Sequence, residues 1–375
     1  MANNGDNILK PRVLILGGCG FIGRNLVSYL VSNKLVSFVR IVDKVPPQVA
    51  WLNSEHEAIF NCSSVEFRSA NLINSVSCEY AFNCENGECW DFVVNCAGET
   101  KSNQTDPVYR EGILKLSVNV AAQAAKYKVK HYVELSVGNM CSSSSTPHKE
   151  DGHIEPWTII AKYKHQVELE LKNIPGLNYT VLRPAVVYGI GDRSGLAPRI
   201  LIGAIYKHLG ETMKLLWSES LKLNTVHVID VCRAIWHVCN RDDTLNKIYN
   251  VVDAGNSTQG SITAIVADIF NIEYNYLGSI MSTIAKTDMA TVVDEVNDKH
   301  LIPWAEACKQ DGVDNTPLTP YMSEELLFDR HLNLDGSALA ATGFKLSIPE
   351  LRKEYIQEII DDYIKMKVFP QSLVA

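Results

Sequence analysis

The glycines that follow the first apolar run are the residues whose types and spacing most directly suggest chemistry. Gly17, Gly20 and Gly23 lie in the stretch GGCGFIG, directly after the run RVLIL and at the start of a predicted helix. Positions without a Cβ atom allow a tight turn, close approach of the backbone to a phosphate, and close packing of helix on strand. The helix N-terminus, with Phe21 and Ile22 in its first turn, offers N–H donors and positive partial charge. The spacing predicts a site for a dinucleotide pyrophosphate.

An acidic residue, Asp43, ends the next predicted strand, FVRIVD. A carboxylate at that position accepts a hydrogen bond from a ribose 2′-hydroxyl and repels a 2′-phosphate, so NAD is favoured over NADP. Arg24 and Lys44 lie close in sequence and could pair with a 2′-phosphate, which keeps NADP possible as the alternative. A glycine turn without a ligand is the other interpretation, but the order of strand, turn, helix, strand and acid argues against it.

Alternating strand and helix patterns in the first half of the chain must position these residues. The predicted strands cover 12–17, 38–43, 64–69, 91–97, 131–136 and 179–184, and the predicted helices cover 21–33, 107–126 and 157–173. Near-continuous apolar strands are typical of a parallel sheet whose two faces are covered by helices. The pattern predicts an α/β fold, a Rossmann-type doubly wound parallel sheet that forms the NAD(P)-binding domain over residues 1–185.

The alternation loosens after residue 185 into helices and short strands. A long helical region is predicted at 260–328, and an amphipathic helix is predicted at 349–367. We expect residues 186–375 to form a smaller, mainly helical substrate lobe that is interleaved with segments returning to the core. The polar stretch at 74–89 is predicted to be a short helix followed by a surface loop.

Composition and charge argue against several classes of function. The 375 residues carry a formal net charge of -8 and no basic run, so we expect no nucleic-acid partner. No run of about 18 apolar residues occurs, so we expect no membrane span and a cytoplasmic protein. The ten cysteines fit reduced side chains in that compartment, and their spacing matches no common metal module, so we expect no metal.

Landmarks along most of the chain resemble one enzyme group. Between residues 12 and 344 they read, in order, GGCGFIGRNL, VDK, SANL, NCAGET, SVNVAAQAA, LRPAVVYGIGDR, VHVIDVCRA, YNVVD and LDGSALAATGF. This order resembles the extended short-chain dehydrogenases, which include NAD-dependent nucleotide-sugar epimerases, dehydratases and hydroxysteroid dehydrogenases. The resemblance implies NAD as cofactor, a small-molecule substrate and a homodimer formed through the second and third predicted helices.

By that resemblance, several further segments would line the cofactor. The implied cofactor-binding residues are Asn71, Leu72, Cys96, Ala97, Gly98, Asn119, Lys164, Pro184, Val186 and Val187, with Tyr188 near the substrate. Asn71 departs from the family pattern, in which an aspartate usually stands at the adenine side.

The resemblance also raises the question of a catalytic tyrosine. Family enzymes place a Tyr four residues before a Lys on one helix face, where the lysine lowers the pKa of the phenol and the phenol exchanges a proton with the substrate. Tyr163 does not fit, because Val167 stands four residues on. Lys164 fits the family lysine, since Glu168 follows at the family's spacing, and this register puts Ile160 at the tyrosine position. Tyr163 is therefore interpreted as a packing or interface aromatic.

The family's helper hydroxyl, a Ser or Thr on the fifth strand, is also missing. Alignment of LSVGNMCSS puts Val137 at its position, and Ser136 should point to the opposite face of the sheet. The cofactor-binding motif is thus retained, while the two positions that carry proton-transferring groups in the family have hydrocarbon side chains. Lys164 stays a catalytic candidate or binds only the cofactor ribose, and Tyr188 is a second catalytic candidate.

Two functions are compatible with this pattern. The first is an NAD-dependent oxidoreductase or epimerase-type enzyme with a non-standard acid/base group, whose apolar residues at positions 137 and 160 suit a lipid-like or small organic carbonyl. The second is a catalytically silent nicotinamide-dinucleotide-binding protein, a sensor or scaffold whose surface responds to cofactor occupancy. The fold alone does not separate them, and the retained substrate lobe favours the enzyme.

Overall fold

Seven parallel strands form the central sheet of the protein. The structure is a computed structural model that describes residues 10–84, 90–278, 283 and 287–374. Its strands, numbered along the chain, are β1 (Arg12–Leu16), β2 (Phe38–Asp43), β3 (Val65–Ser69), β4 (Phe92–Asn95), β5 (His131–Leu135), β6 (Tyr179–Pro184), β7 (Val186–Tyr188), β8 (Met213–Leu215), β9 (Thr225–His227), β10 (Lys247–Val251) and β11 (Tyr274–Tyr276). The sheet order is β10-β6-β5-β4-β1-β2-β3.

This order reverses direction at β1. Leu16, at the carboxyl end of β1, is level with Val42 of β2 on one side and with Asn95 of β4 on the other. The two halves of the sheet therefore open a crevice beyond the carboxyl ends of these three strands. Open α/β sheets bind their ligands in such a crevice.

Helices cover both faces of the sheet. They are α1 (Phe21–Ser32), α2 (Ser54–Phe60), α3 (Ser75–Phe82), α4 (Asp106–Tyr109), α5 (Leu116–Lys126), α6 (Ile159–Leu171), α7 (Ala197–Leu209), α8 (Val228–Cys239), α9 (Gln259–Phe270), α10 (Met289–Gln310), α11 (Ser337–Ala341) and α12 (Lys353–Lys365), and a π-helical segment, Arg110–Lys115, joins α4 to α5. α1 and α8 bury one sheet face, and α3, α5 and α6 bury the other. The predicted Rossmann-type fold is confirmed.

The second half of the chain builds a lobe around its own apolar cluster, to which α7, α9, α10 and α12 contribute. The prediction of a helical region at 260–328 was wrong in part, because β11 pairs with β8 and residues 311–323 have no regular secondary structure. A strand as short as β11 forms only through this distant partner, which periodicity does not reveal. No helix in the described part of the chain is long and apolar enough to cross a membrane.

Three predicted strands extend beyond the observed ones at their carboxyl ends. β1 ends at Leu16 rather than at Gly17, β4 ends at Asn95 rather than at Ala97, and β5 ends at Leu135 rather than at Ser136. After β1 the chain leaves the sheet because Gly17 turns with φ of +73°. The residues left over form the loops that border the crevice. Of the polar stretch at 74–89, α3 is described, and residues 85–89 lie outside the described residues.

Candidate functional site

The glycine turn after β1 is packed too closely for side chains. A Cβ atom built on Gly17 would lie 2.6 Å from the Cα atom of Ala97, in the loop after β4. A Cβ atom on Gly23 would lie 2.3 Å from the carbonyl oxygen of Gly17. The Gly17 N–H also donates to the carbonyl of Val42 at 2.8 Å, which ties the turn to β2. Glycine at these positions lets strand, turn and helix pack in direct contact.

The N-terminus of α1 faces the crevice without a side chain over it. Gly20 is the N-cap residue, it is exposed, and no side chain caps the helix. The N–H groups of the first turn, including those of Phe21 and Ile22, have no partner within a helix and suit an anion. This arrangement fits a pyrophosphate that approaches the backbone at Gly20.

Asp43, the last residue of β2, is held beside the glycine turn. Its Oδ2 atom accepts a hydrogen bond from the Cys19 N–H at 3.1 Å, and its Oδ1 atom accepts one from the Val45 N–H at 3.0 Å. Burial raises the pKa of Asp43 above its ordinary value, and these backbone donors act against that shift. A carboxylate fixed in this way can accept a ribose hydroxyl at the edge of the crevice.

The two basic residues that kept NADP possible differ in their placement. Arg24 is buried, and its guanidinium donates to the carbonyl oxygens of Cys19, Gly20, Ala50 and Trp51. Lys44 is exposed, and its Nζ atom lies 4.0 Å from Oε2 of Glu99. Arg24 is therefore used inside the fold, which corrects its interpretation as a partner for a 2′-phosphate.

The loop after β3 is braced from α5. The Asn119 side chain donates to the carbonyl oxygens of Leu72 and Ile73, at 3.2 and 2.8 Å. Asn71 is exposed, and its side-chain oxygen accepts a hydrogen bond from the Ile73 N–H at 3.2 Å. Leu72 is buried against the core. Asn119 thus fixes the edge of the crevice from which Asn71 faces solvent.

The loop after β4 lines the other half of the crevice. The Cys96 N–H donates to the Leu16 carbonyl at 2.8 Å, and the Ala97 N–H donates to the Asn95 side chain at 3.1 Å. Burial raises the pKa of Cys96 to about 12, so its thiol is a poor nucleophile. Gly98 is half-buried at the end of this segment. These residues supply shape rather than reactive groups.

The segment after β6 does not place Tyr188 at the crevice. Pro184 ends β6, and Val186 and Val187 are half-buried in β7. The Tyr188 side chain is fully buried, and its ring packs edge-on against His227 with centroids 5.1 Å apart. Burial raises the pKa of Tyr188. A phenol enclosed in the lobe cannot exchange a proton with a ligand in the crevice, so the expectation that Tyr188 is catalytic is withdrawn.

α6 carries the tyrosine and lysine that the sequence singled out. The Tyr163 hydroxyl donates to Oδ1 of Asp106 on α4 at 2.6 Å, and its ring packs in the core between the helices. Ile160, on the first turn of α6, and Val137, after β5, are both half-buried. At the two positions where the resemblance calls for a phenol and a hydroxyl, the chain therefore presents hydrocarbon.

Lys164 enters a buried polar cluster that sequence reasoning missed. Its Nζ atom donates to Oε1 of Glu134 on β5 at 2.9 Å. Glu134 also accepts hydrogen bonds from Ser117 at 3.0 Å, from Asn95 at 2.8 Å and from the Tyr132 hydroxyl. The available signal was Tyr132 and Glu134, which lie two residues apart in β5 and therefore on one face of the sheet.

A second buried ion pair lies one turn further along α6. Glu168 accepts two hydrogen bonds from the Arg183 guanidinium, at 3.0 and 2.5 Å, and one from the Ser136 hydroxyl at 2.6 Å. Burial would raise the pKa of Glu168, but these donors lower it below its ordinary value. The Ser136 hydroxyl thus points toward Glu168. It cannot replace the helper hydroxyl that is missing at position 137.

Comparison with known families identifies the chain. The model of the NAD dependent epimerase/dehydratase family matches residues 13–252. That match spans most of the chain, and the protein therefore belongs to the NAD-dependent epimerase/dehydratase family. Comparison with curated protein sequences gives no significant match.

Solved structures share the fold at low sequence identity. UDP-glucose 4-epimerase from Thermotoga maritima, solved with UDP-glucose, is 19% identical, with a TM-score of 0.66 over 94% of this chain and 99% of that one. UDP-glucose 4-epimerase from Thermus thermophilus, solved with NAD, is 21% identical, with a TM-score of 0.64 over 94% and 99%. dTDP-glucose 4,6-dehydratase from Bacillus anthracis, also solved with NAD, is 15% identical, with a TM-score of 0.68 over 97% and 99%. These likenesses establish the architecture.

Proposed function

We propose that the protein is an NAD-binding enzyme of the extended short-chain dehydrogenase group, an oxidoreductase or epimerase-type enzyme with a non-standard acid/base group. The observation that carries the proposal is the glycine turn with Asp43 beside it at the reversal of the strand order. Gly17 and Gly23 leave no room for a Cβ atom, and Gly20 exposes the helix N-terminus. Family membership and the NAD in related structures support the same cofactor.

The residues of this chain would divide the work of holding NAD. The N–H groups around Gly20 would bind the pyrophosphate, and Asp43 would accept the adenosine ribose hydroxyl. The cofactor, when bound, supplies hydride acceptance and donation. Val137 and Ile160 would exclude water beside its reactive ring, and Lys164 would donate to the second ribose.

A catalytically silent NAD-binding protein is the second candidate. Hydrocarbon at positions 137 and 160 favours it, and so does the engagement of Lys164 by Glu134 at 2.9 Å. A lysine whose charge is balanced does little to lower the pKa of a neighbouring hydroxyl. Loss of a general acid costs on the order of 10² to 10⁴ in rate, which slows an enzyme without making turnover impossible.

The decisive experiment is to purify the protein, identify any co-purifying dinucleotide by mass spectrometry, and titrate NAD and NADP into it. We expect NAD to bind more tightly than NADP. Bound NAD that is reduced by alcohols, or bound NADH that is oxidised by carbonyl compounds, favours the enzyme. Tight binding without turnover favours the silent protein, and failure to bind either dinucleotide refutes both.

Asp43→Asn tests the choice of dinucleotide. The variant removes the charge that repels a 2′-phosphate, so we expect the affinity for NAD to fall about tenfold and its advantage over NADP to shrink. Calorimetric titration of both dinucleotides measures this. Asp91→Asn is the matched control, because Oδ2 of Asp91 accepts a backbone hydrogen bond from Arg12 at 2.8 Å at the opposite end of the sheet. Equal selectivity in the two variants would contradict the assignment.

We also propose a cytoplasmic homodimer with a small-molecule substrate. The described cysteines are all free, which fits a reducing compartment. Val108 on α4 and Leu169 on α6 expose apolar side chains on the helices through which the resemblance implies dimerisation. We expect light scattering to give about twice 41.7 kDa, and Leu169→Glu to give a monomer. Ile302→Glu, at an exposed site on α10, should leave the mass unchanged, and a monomeric wild type would overturn the proposal.

A further inference from the structure

The Lys164–Glu134 pair is buried, and the Glu134 carboxylate accepts four hydrogen bonds. The Lys164 side chain is 9% exposed, and the Glu134 side chain is 0% exposed. Beyond the lysine, three neutral donors contact the Glu134 carboxylate, namely Ser117, Asn95 and Tyr132. A buried carboxylate with one cation and three neutral donors is held in one geometry, and it holds the cation in turn.

This pair lies under the nicotinamide half of the proposed cofactor site. A dinucleotide bound at a reversal of strand order spans the two halves of the sheet. Asp43 ends β2, so the adenosine half belongs on that side, and the nicotinamide half must lie beyond β4 and β5. Gly98 borders that half, and a Cβ atom built on Gly98 would lie 3.8 Å from Nζ of Lys164. The lysine ammonium therefore sits against the loop that lines the ring.

We propose that Glu134 is a positioning and charge-balancing residue of the cofactor site. It holds the Lys164 ammonium against the Gly98 loop, and it cancels the lysine charge next to the ring. The oxidised nicotinamide ring is cationic and the reduced ring is neutral, so an unbalanced ammonium would disfavour NAD⁺ relative to NADH. The pair lets the lysine bind the ribose while the site still accepts NAD⁺. This inference rests on the proposed NAD binding.

The test compares the dissociation constants of NAD⁺ and NADH, measured by calorimetry on the purified full-length protein. Glu134→Gln leaves the ammonium unbalanced, so we expect the ratio of Kd for NAD⁺ to Kd for NADH to rise about tenfold. Lys164→Met leaves the carboxylate, still held by its three neutral donors, near the ring. That variant should move the ratio in the opposite direction.

Two further variants separate charge from folding. Glu168→Gln breaks the neighbouring buried pair with Arg183, so it should lower the melting temperature without changing the ratio. Glu134→Gln combined with Lys164→Met removes both charges, so the ratio should return to the wild-type value while both dinucleotides bind more weakly. If Glu134→Gln alone does not fold, the ratios measured for Lys164→Met and for the double variant still test whether Glu134 balances the lysine charge.

The outcomes distinguish this inference from the function on which it rests. A wild-type protein that binds neither dinucleotide refutes the proposed function and the inference together. Wild-type binding with the same ratio in Glu134→Gln, in Lys164→Met and in the double variant overturns only the role of Glu134. A change in Glu168→Gln equal to that in Glu134→Gln also overturns it, because any broken ion pair would then suffice.

Discussion

Gly17→Ala is expected to abolish NAD binding and to lower the free energy of unfolding by roughly 2–5 kcal/mol, the sum of left-handed backbone strain and overpacking. Gly17 has φ of +73°, and the new Cβ atom would lie 2.6 Å from backbone atoms of Ala97. Those atoms belong to the loop after β4, so they can yield only if the strands separate at the crevice. Separation would move the N-terminus of α1 away from the loop that must face it across the cofactor.

Gly210→Ala is the matched control for this prediction. Gly210 has φ of +64°, close to that of Gly17, but nothing lies within 4 Å of a Cβ atom built there. It ends α7 at its C-cap, so the substitution should cost about 1 kcal/mol of backbone strain and leave NAD binding unchanged. Urea unfolding and calorimetric titration measure both effects. A Gly17→Ala protein that binds NAD like the wild type would contradict the proposed site.

The parts of the fold that sequence predicts well are those set by local pattern. The six predicted strands and the glycine turn each depend on residues within about ten positions of one another, where apolar runs and glycine spacing carry the information. The position of Asp43 beside the turn was predictable because this residue ends β2, the strand that follows the glycine turn and its helix. The second lobe was less predictable, because β11 exists only through its pairing with β8.

Side-chain clusters built from distant segments escape this reasoning. Glu134 gathers partners from residues 95, 117, 132 and 164, which lie on four different elements. In sequence it is one glutamate in HYVELS, a strand with no motif around it. The expectation that Tyr188 is catalytic was withdrawn for the same reason, because the burial of this side chain depends on a lobe cluster formed with α7 and α12. Sequence spacing predicts which strand or helix each of these residues belongs to, but it does not predict which side chains it contacts.

Val137→Ser combined with Ile160→Tyr is expected to create or raise carbonyl reductase activity by on the order of 10² to 10⁴ in rate. The new phenol would stand four residues before Lys164 on one face of α6, and the new hydroxyl would stand at the crevice side of the chain after β5. Both positions are half-buried, so neither new side chain has to be enclosed completely in the core. Loss of NADH absorbance with a panel of small aldehydes and ketones measures the gain.

Val137→Ser with Ile160→Phe is the control, since it adds the same bulk without a phenol hydroxyl. A folded, NAD-binding Tyr variant that is no faster than this control would contradict the register that places Ile160 at the tyrosine position. Glu134 adds a second condition, because it balances the lysine charge that would lower the pKa of the new phenol. Adding Glu134→Gln to the active variant should therefore shift its rate profile toward lower pH, and an unshifted profile would mean that Lys164 does not act on the new hydroxyl.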